Sequence, residues 1–146
     1  MQERYLILAA RWNDLVTRPL VEGAKTCLAR SSHTSHQVIW VPGAFELPVV
    51  AKKAALSGQY DAIICLGAVI KGDTPHFDIV AGQSAAGLMK ISVDTGIPVS
   101  NGILTTNTVE EALNRAGLKM GNKGFEAADA AMETLGALSQ IEGVRS

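Results

Sequence analysis

The sequence predicts an α/β fold with a parallel, doubly wound sheet covered by helices on both faces. Three observations carry this. Short apolar runs of strand length recur at residues 4–10, 37–41, 61–69 and 99–105. Stretches with apolar residues at helical spacing, or with helix start and stop signals, separate them. The resulting order, β-α-β-α-β-α-β-α-α, joins successive strands by helices, as parallel pairing requires, and so puts a helix layer on each side of the sheet. In such folds ligands bind beyond the carboxyl ends of the strands.

Each element has its own reason. Tyr5-Leu6-Ile7-Leu8-Ala9-Ala10 is the first strand, and Asn13 or Thr17 can cap the helix that follows. In that helix Leu15, Val16, Leu20, Val21, Ala24, Cys27 and Leu28 recur near a 3.6-residue period. Residues 31–35 read as a polar connection that holds His33 and adjoins His36; two histidines alone do not make a metal site. The second strand, 37–41, stops at Pro42-Gly43, and a helix then runs from Ala44 to about Ser57-Gly58. Ala62-Ile63-Ile64-Cys65-Leu66 is continuous apolar sequence, the mark of a strand covered on both faces. The next helix opens with Thr74 as N-cap and Pro75 at the first helical position, puts His76 in its first turn, and runs to about Thr95. Its small residues, Ala81, Gly82, Ser84, Ala85, Ala86 and Gly87, permit close approach of a neighbouring element. Gly96-Ile97-Pro98 turns into the fourth strand, Thr108-Val109-Glu110-Glu111 is a capping box for a short helix ending at Gly117, and Gly121-Asn122-Lys123-Gly124 redirects the chain into a last helix to about Leu138. Residues 141–146 read as a frayed tail.

With 146 residues the chain is expected to be one domain, and 47% hydrophobic residues supply a sizeable core. A net charge of −1 with scattered Lys and Arg removes the electrostatic case for nucleic acid or an anionic membrane. No apolar run reaches the ~18 residues of a membrane span. Cys27 and Cys65 sit in apolar patterns without a CxxC or a secretory leader, so they read as reduced, packed thiols in a cytosolic protein.

The expected carboxyl-end segments are Trp12-Asn13, Gly43 to Glu46, Ala68 to His76, and Asn101 to Thr105. Trp12 is either a core cap or a flat surface for a planar heterocycle. Glu46 either complements a helix dipole or accepts hydrogen bonds from a polyol or amine. Gly72-Asp73-Thr74 is an ordinary turn and cap or an anion nest, although it is no P-loop. His76 is structural, or a neutral imidazole able to shuttle protons beside that nest. Arg115 and Lys123 flank the late glycine-rich turn as solvated charges or as anion ligands. The residues alone reach an α/β domain for a small anionic or heterocyclic ligand.

Taken together, Arg11-Trp12-Asn13, Val41-Pro42-Gly43-Ala44-Phe45-Glu46-Leu47-Pro48, Gly67 through Asp78, Gly102-Ile103-Leu104-Thr105-Thr106, Asn114-Arg115-Ala116-Gly117 and Gly121-Asn122-Lys123-Gly124 resemble the 6,7-dimethyl-8-ribityllumazine synthase family over nearly the whole chain. The resemblance implies a three-layer αβα sandwich on a four-stranded parallel, flavodoxin-like sheet. It implies condensation of 5-amino-6-(D-ribitylamino)uracil with 3,4-dihydroxy-2-butanone 4-phosphate, the penultimate step of riboflavin biosynthesis, without a cofactor or a metal. It also implies a homopentamer with sites between subunits. One subunit would supply Trp12 and Asn13 at the pyrimidine, Ala44, Phe45 and Glu46 for the ribityl chain, and Ala68, Val69 and Ile70 lining the uracil pocket. Asp73 and Thr74 would bind phosphate, and His76 would transfer protons. The neighbour would add Asn101, Arg115 on the phosphate, and Lys123. Riboflavin synthase is an expected partner, and the cytoplasm the expected location (a plastid in a plant).

Three positions depart from the family's usual pattern. Asn101 stands where Phe is common and makes the neighbour's wall more polar. Trp12 stands where Phe is commoner and favours flavin stacking. Met1-Gln2-Glu3 is too short for the leading strand that usually pairs with a neighbouring subunit, whereas the compact 117–122 connection resembles that of members forming sixty-subunit icosahedral shells. The competing readings are a non-catalytic flavin-binding or cage-forming protein, which intact Glu46, His76 and Arg115 oppose, and a flavodoxin-like or receiver-type signalling domain. The latter would need an acidic cluster or a hydroxyl-rich loop after the first strand, where the sequence has neither.

Overall fold

The computed structural model describes residues 2–72 and 76–144. Its strands are β1 (Glu3–Ala10), β2 (Thr34–Val41), β3 (Ala62–Ile70) and β4 (Val99–Thr106). Its helices are α1 (Asp14–Leu28), α2 (Leu47–Leu56), α3 (Phe77–Thr95), α4 (Val109–Asn114) and α5 (Lys123–Val144), with a single 3₁₀ turn, Ala44–Glu46, leading into α2. The strands form one parallel sheet in the order β2-β1-β3-β4. This is the doubly wound order with a switch point between β1 and β3, where the chain leaves in opposite directions.

Every residue of β3 is buried, as its unbroken apolar run requires of a central strand. The pleat sends alternate residues to two separate cores. Tyr5, Ile7, Ala9, Ile64 and Leu66 pack beneath α1 and α5 with Leu20, Ala24, Leu28 and Ala128. Leu6, Leu8, Ile63 and Cys65 pack beneath α2 and α3 with Leu47, Ala51, Leu88 and Ile91. Both cysteines are buried free thiols, and burial pushes the Cys65 thiol up to about 12.

Four local expectations need correction. The second strand starts at Thr34, so His36 lies within β2, paired in register with Tyr5, and not in the connection. As an edge strand β2 turns residues to solvent, and polar residues there shorten the apolar run without ending the ladder. The segment after Gly43 opens as a 3₁₀ turn, so Glu46 precedes α2 and is not one turn inside a helix. Helix α3 begins at Phe77, with His76 in the cap position; Thr74 and Pro75, the expected cap and first helical residue, lie outside the described residues. Finally, α5 continues to Val144, past the end expected near Leu138; residues 145–146 of the expected tail lie outside the described residues. Leu135 anchors that helix to the core and no proline interrupts it afterwards.

The capping expectation for α4 holds in part. Thr108 Oγ1 accepts from the Glu111 N–H at 3.1 Å, while the Glu111 carboxylate reaches the Asn107 N–H at 3.1 Å, one residue before the cap. Helix α5 is capped by Asn122, whose Oδ1 accepts from the Gly124 and Phe125 N–H groups at 2.8 and 3.1 Å and whose Nδ2 donates to the Pro19 carbonyl at 3.1 Å. A Cβ at Gly124 would overlap the Leu20 carbonyl, so α1 and α5 meet backbone to backbone. The small residues of α3 divide by face. Ser84 is buried and Gly87 abuts Pro48, whereas Ile79, Gly82, Ala86, Met89 and Val93 form an exposed apolar stripe at alternating three- and four-residue spacing. Among the described residues no helix is long and apolar enough to cross a membrane, and no group of three or more His, Cys, Asp or Glu could hold a metal ion.

Candidate active site

Strands β1, β2 and β3 finish side by side at the carboxyl edge. Beyond them, the Arg11 N–H donates to the Val41 carbonyl at 2.7 Å and the Trp12 N–H to the Pro42 carbonyl at 2.8 Å. The β1–β2 pairing therefore runs past both strands and lays Trp12 alongside Gly43. Trp12 keeps 62% of its surface exposed and Phe45 keeps 56%, unusual for large aromatic side chains with no binding role.

Asn13 turns the chain at φ 66°, ψ 43°, the left-handed conformation that Asn tolerates better than most residues. It takes the cap position of α1 through its carbonyl, which accepts from the Val16 and Thr17 N–H groups at 2.9 and 3.0 Å. Its side chain does not cap the helix. The amide Nδ2 crosses to donate to the Ala68 carbonyl at 3.0 Å, tying the exit of β1 to the exit of β3. Thr17, the other cap candidate, is fully buried inside α1.

Glu46 is half-buried, and its Oε1 accepts from the Gly43 N–H at 3.0 Å. The adjacent Ala44 carbonyl accepts from the buried Ser84 hydroxyl of α3 at 3.1 Å, which pins the 3₁₀ turn to that helix. Between these groups opens a cavity of about 330 Å³ lined by Trp12, Asn13, Gly43, Ala44, Phe45, Ala68, Val69, Ile70 and Val80, the size of a small-molecule site. A larger groove, about 840 Å³ between α1 and α5, is shallow and holds none of the expected site residues.

Seven expected residues thus meet at one cavity: Trp12, Asn13, Ala44, Phe45, Ala68, Val69 and Ile70. Glu46 adjoins it through Gly43. His76 is exposed at the start of α3, where its carbonyl accepts from the N–H of Val80, a lining residue, at 2.9 Å. Asp73 and Thr74 lie outside the described residues; Gly72, the first residue of the expected nest, is exposed with φ 96°.

The remaining three residues lie elsewhere in the chain. Asn101 was expected at a carboxyl end, but it lies inside β4 in its amino half, level with Cys65 of β3, and its Oδ1 accepts from the Ile103 N–H at 2.9 Å. It lines a separate groove between α3 and α5 with Met89 and Thr134. Arg115 closes α4 and Lys123 opens α5, and a backbone bond from the Lys123 N–H to the Arg115 carbonyl, 2.8 Å, brings the two together. The Ala116–Asn122 bridge and a Gly117 N–H bond to the Gly121 carbonyl at 2.8 Å close the turn between them.

Val80 and Ser84 escaped the site reading, and Gly43, although inside the expected carboxyl-end segment Gly43 to Glu46, was given no role of its own. Val80 and Ser84 carry no chemical signal, and the glycine of Pro42-Gly43 reads as a simple strand stop. Asn122 was legible: an Asn directly before a helical stretch is an N-cap candidate.

Fold and cavity together define a class: a doubly wound α/β protein that takes a planar, partly polar small molecule at the carboxyl edge of its sheet. The family model for 6,7-dimethyl-8-ribityllumazine synthase matches residues 2–139. A protein of that name from Deinococcus deserti is 53% identical over 142 residues, covering 94% of this chain and 90% of that protein. Those of Protochlamydia amoebophila and Chlorobium limicola are 51% and 50% identical, covering 96% and 94% of this chain and 83% and 90% of their own. The chain belongs to the 6,7-dimethyl-8-ribityllumazine synthase family.

Proposed function

We infer that this chain condenses 5-amino-6-(D-ribitylamino)uracil with 3,4-dihydroxy-2-butanone 4-phosphate to give 6,7-dimethyl-8-ribityllumazine, phosphate and water. The observation that carries this is family membership over residues 2–139, joined to a cavity of small-molecule size at the sheet edge. The amine on the pyrimidine is the nucleophile, so the protein needs none. Amine attack on the ketone expels one water to form an imine. Loss of the proton from the neighbouring carbinol carbon expels phosphate with its C–O bond pair and leaves an enol. The enol tautomerises to a new carbonyl, and attack of the ribitylamino nitrogen on that carbonyl expels a second water as the ring closes. Each step needs protons moved and charge met, and above all two substrates held in register.

The roles follow residue chemistry. Trp12 stacks on the pyrimidine, Ala68, Val69 and Ile70 line its edge, and Asn13 holds the Ala68 carbonyl in place. Ala44, Phe45 and Glu46 receive the ribityl chain; the Glu46 carboxylate is an acceptor suited to hydroxyls. Asp73 and Thr74 bind phosphate, His76 shuttles protons, and Arg115, with Lys123 and Asn101, comes from a second copy. Two features support this division: Asn101, Arg115 and Lys123 do not line the Trp12 cavity, and α3 presents an exposed apolar stripe fit to face another subunit. The same reading takes the assembly to a pentamer, with a sixty-subunit shell and riboflavin synthase as further partners, and the site of action to the cytoplasm.

Mixing the two substrates with purified protein and following lumazine absorbance tests the reaction, and sedimentation of the same sample tests the assembly. A folded protein that forms no lumazine overturns the reading.

A further inference from the structure

Gly43 has an extended backbone that any residue adopts, so its φ and ψ do not explain its lack of a side chain. Space does. A Cβ at this position would lie 2.5 Å from Trp12 Cε3 and 2.8 Å from Cζ3, and 3.3 Å from Glu46 Oε1. Real Cβ atoms essentially never approach so closely, so the largely exposed indole would have to shift. The indole therefore rests directly on the Gly43 backbone. The same residue's N–H donates to Glu46 Oε1 at 3.0 Å. One position thus supports the aromatic wall on one side and holds the carboxylate on the other.

We propose that Gly43 is a positioning residue for the pyrimidine-binding half of the site: its bare backbone seats the Trp12 indole and anchors the Glu46 carboxylate. The Trp12 backbone is fixed independently by its bond to the Pro42 carbonyl and by the left-handed turn at Asn13. With its root held, a displaced indole can only swing about its side-chain torsions, into or away from the cavity it walls. Gly43 acts through Trp12 and Glu46 and touches no reacting atom itself. The inference rests on the proposed reaction for its substrate and on geometry for its mechanism.

The test is a cycle of wild type, Gly43→Ala, Trp12→Ala and the double variant, with kcat and KM measured for each substrate. Gly43→Ala is expected to raise KM for the ribitylaminouracil roughly ten- to a hundredfold, the scale of a misplaced binding group, with KM for the ketone phosphate unchanged. Added to Trp12→Ala, the same substitution is expected to change KM by less than about threefold, because the partner it displaces is gone. Equal penalties in both backgrounds overturn the proposal. If Gly43→Ala fails to fold but the double variant folds, the clash with the indole is confirmed; if neither folds, the glycine serves the backbone and the proposal fails. Trp12 emission, read in a Trp40→Phe background, gives a readout free of chemistry and should shift on Gly43→Ala. A shift without lumazine formation by the wild type sinks the proposed reaction and leaves the positioning role standing; activity without a shift does the reverse.

Discussion

Two regions of this molecule hold candidate site residues, and they are built differently. The cavity at the ends of β1 and β3 is assembled within one chain from sheet exits, and almost every contact there is backbone-directed: Trp12 to Pro42, Asn13 to Ala68, Glu46 to Gly43. The turn from Asn114 to Lys123 is equally well tied, by Asn122, the Ala116–Asn122 bridge and the Gly124–Leu20 contact. Yet none of its three cations, the exposed Arg115 and Lys119 and the half-buried Lys123, lines that cavity. The first region has a cavity lined by aromatic and small apolar residues, and the second offers cationic side chains beside an open groove. Neither Arg115 nor Lys123 lines the first cavity, and under the proposed function a second copy joins the two halves.

The strongest way to break this comparison is to mix chains. Arg115→Ala should raise KM for the ketone phosphate about a hundredfold, as expected for loss of charge-assisted hydrogen bonds. Co-assembly with equal amounts of Trp12→Ala chains should then restore about a quarter of the sites, by random pairing across a head-to-tail interface. A mixture no better than the mean of its parents would put both halves in one chain. Next in size, His76→Ala should lower kcat by about a hundredfold at most, within the range of general acid–base effects, and retain measurable turnover because holding the substrates in register supplies more. A folded, assembled His76→Ala protein without any activity would reject that division.

Two stability measurements sharpen the comparison. Gly124→Ala should cost about 2–3 kcal/mol in urea denaturation, since a methyl group has to be forced against the Leu20 backbone. A neutral result would mean that α1 and α5 have room to separate. Smallest of all, Thr108→Ala removes the α4 cap and should cost about 1 kcal/mol. It should leave KM for the pyrimidine where it was; a changed value would couple the two regions through β4.

Much of the fold could be read in advance because its signals are local. The buried run of β3 and the helical spacing of Val16, Leu20, Ala24 and Leu28 need no knowledge of neighbours. The misread pieces are those where the neighbour decides. His36 is a strand residue because β1 offers it a ladder. Asn13 shows the same limit at the site: its residue type suits a helix cap, and only the packed sheet supplies the Ala68 carbonyl that draws its amide away.

By itself the sequence determined the α/β class, the parallel order of elements and the family, because periodicity, turn residues and ordered motifs are written along one dimension. Tertiary structure decided which motif residues meet. It gathered Trp12, Asn13, Ala44, Phe45 and residues 68–70 around one cavity, set Asn101 in the amino half of β4 and carried Arg115 to another place. It also gave Gly43 its reason, since the space a side chain would occupy is filled by an indole 31 positions earlier in the chain. Such distances depend on how sheet exits stack, and no local pattern encodes them.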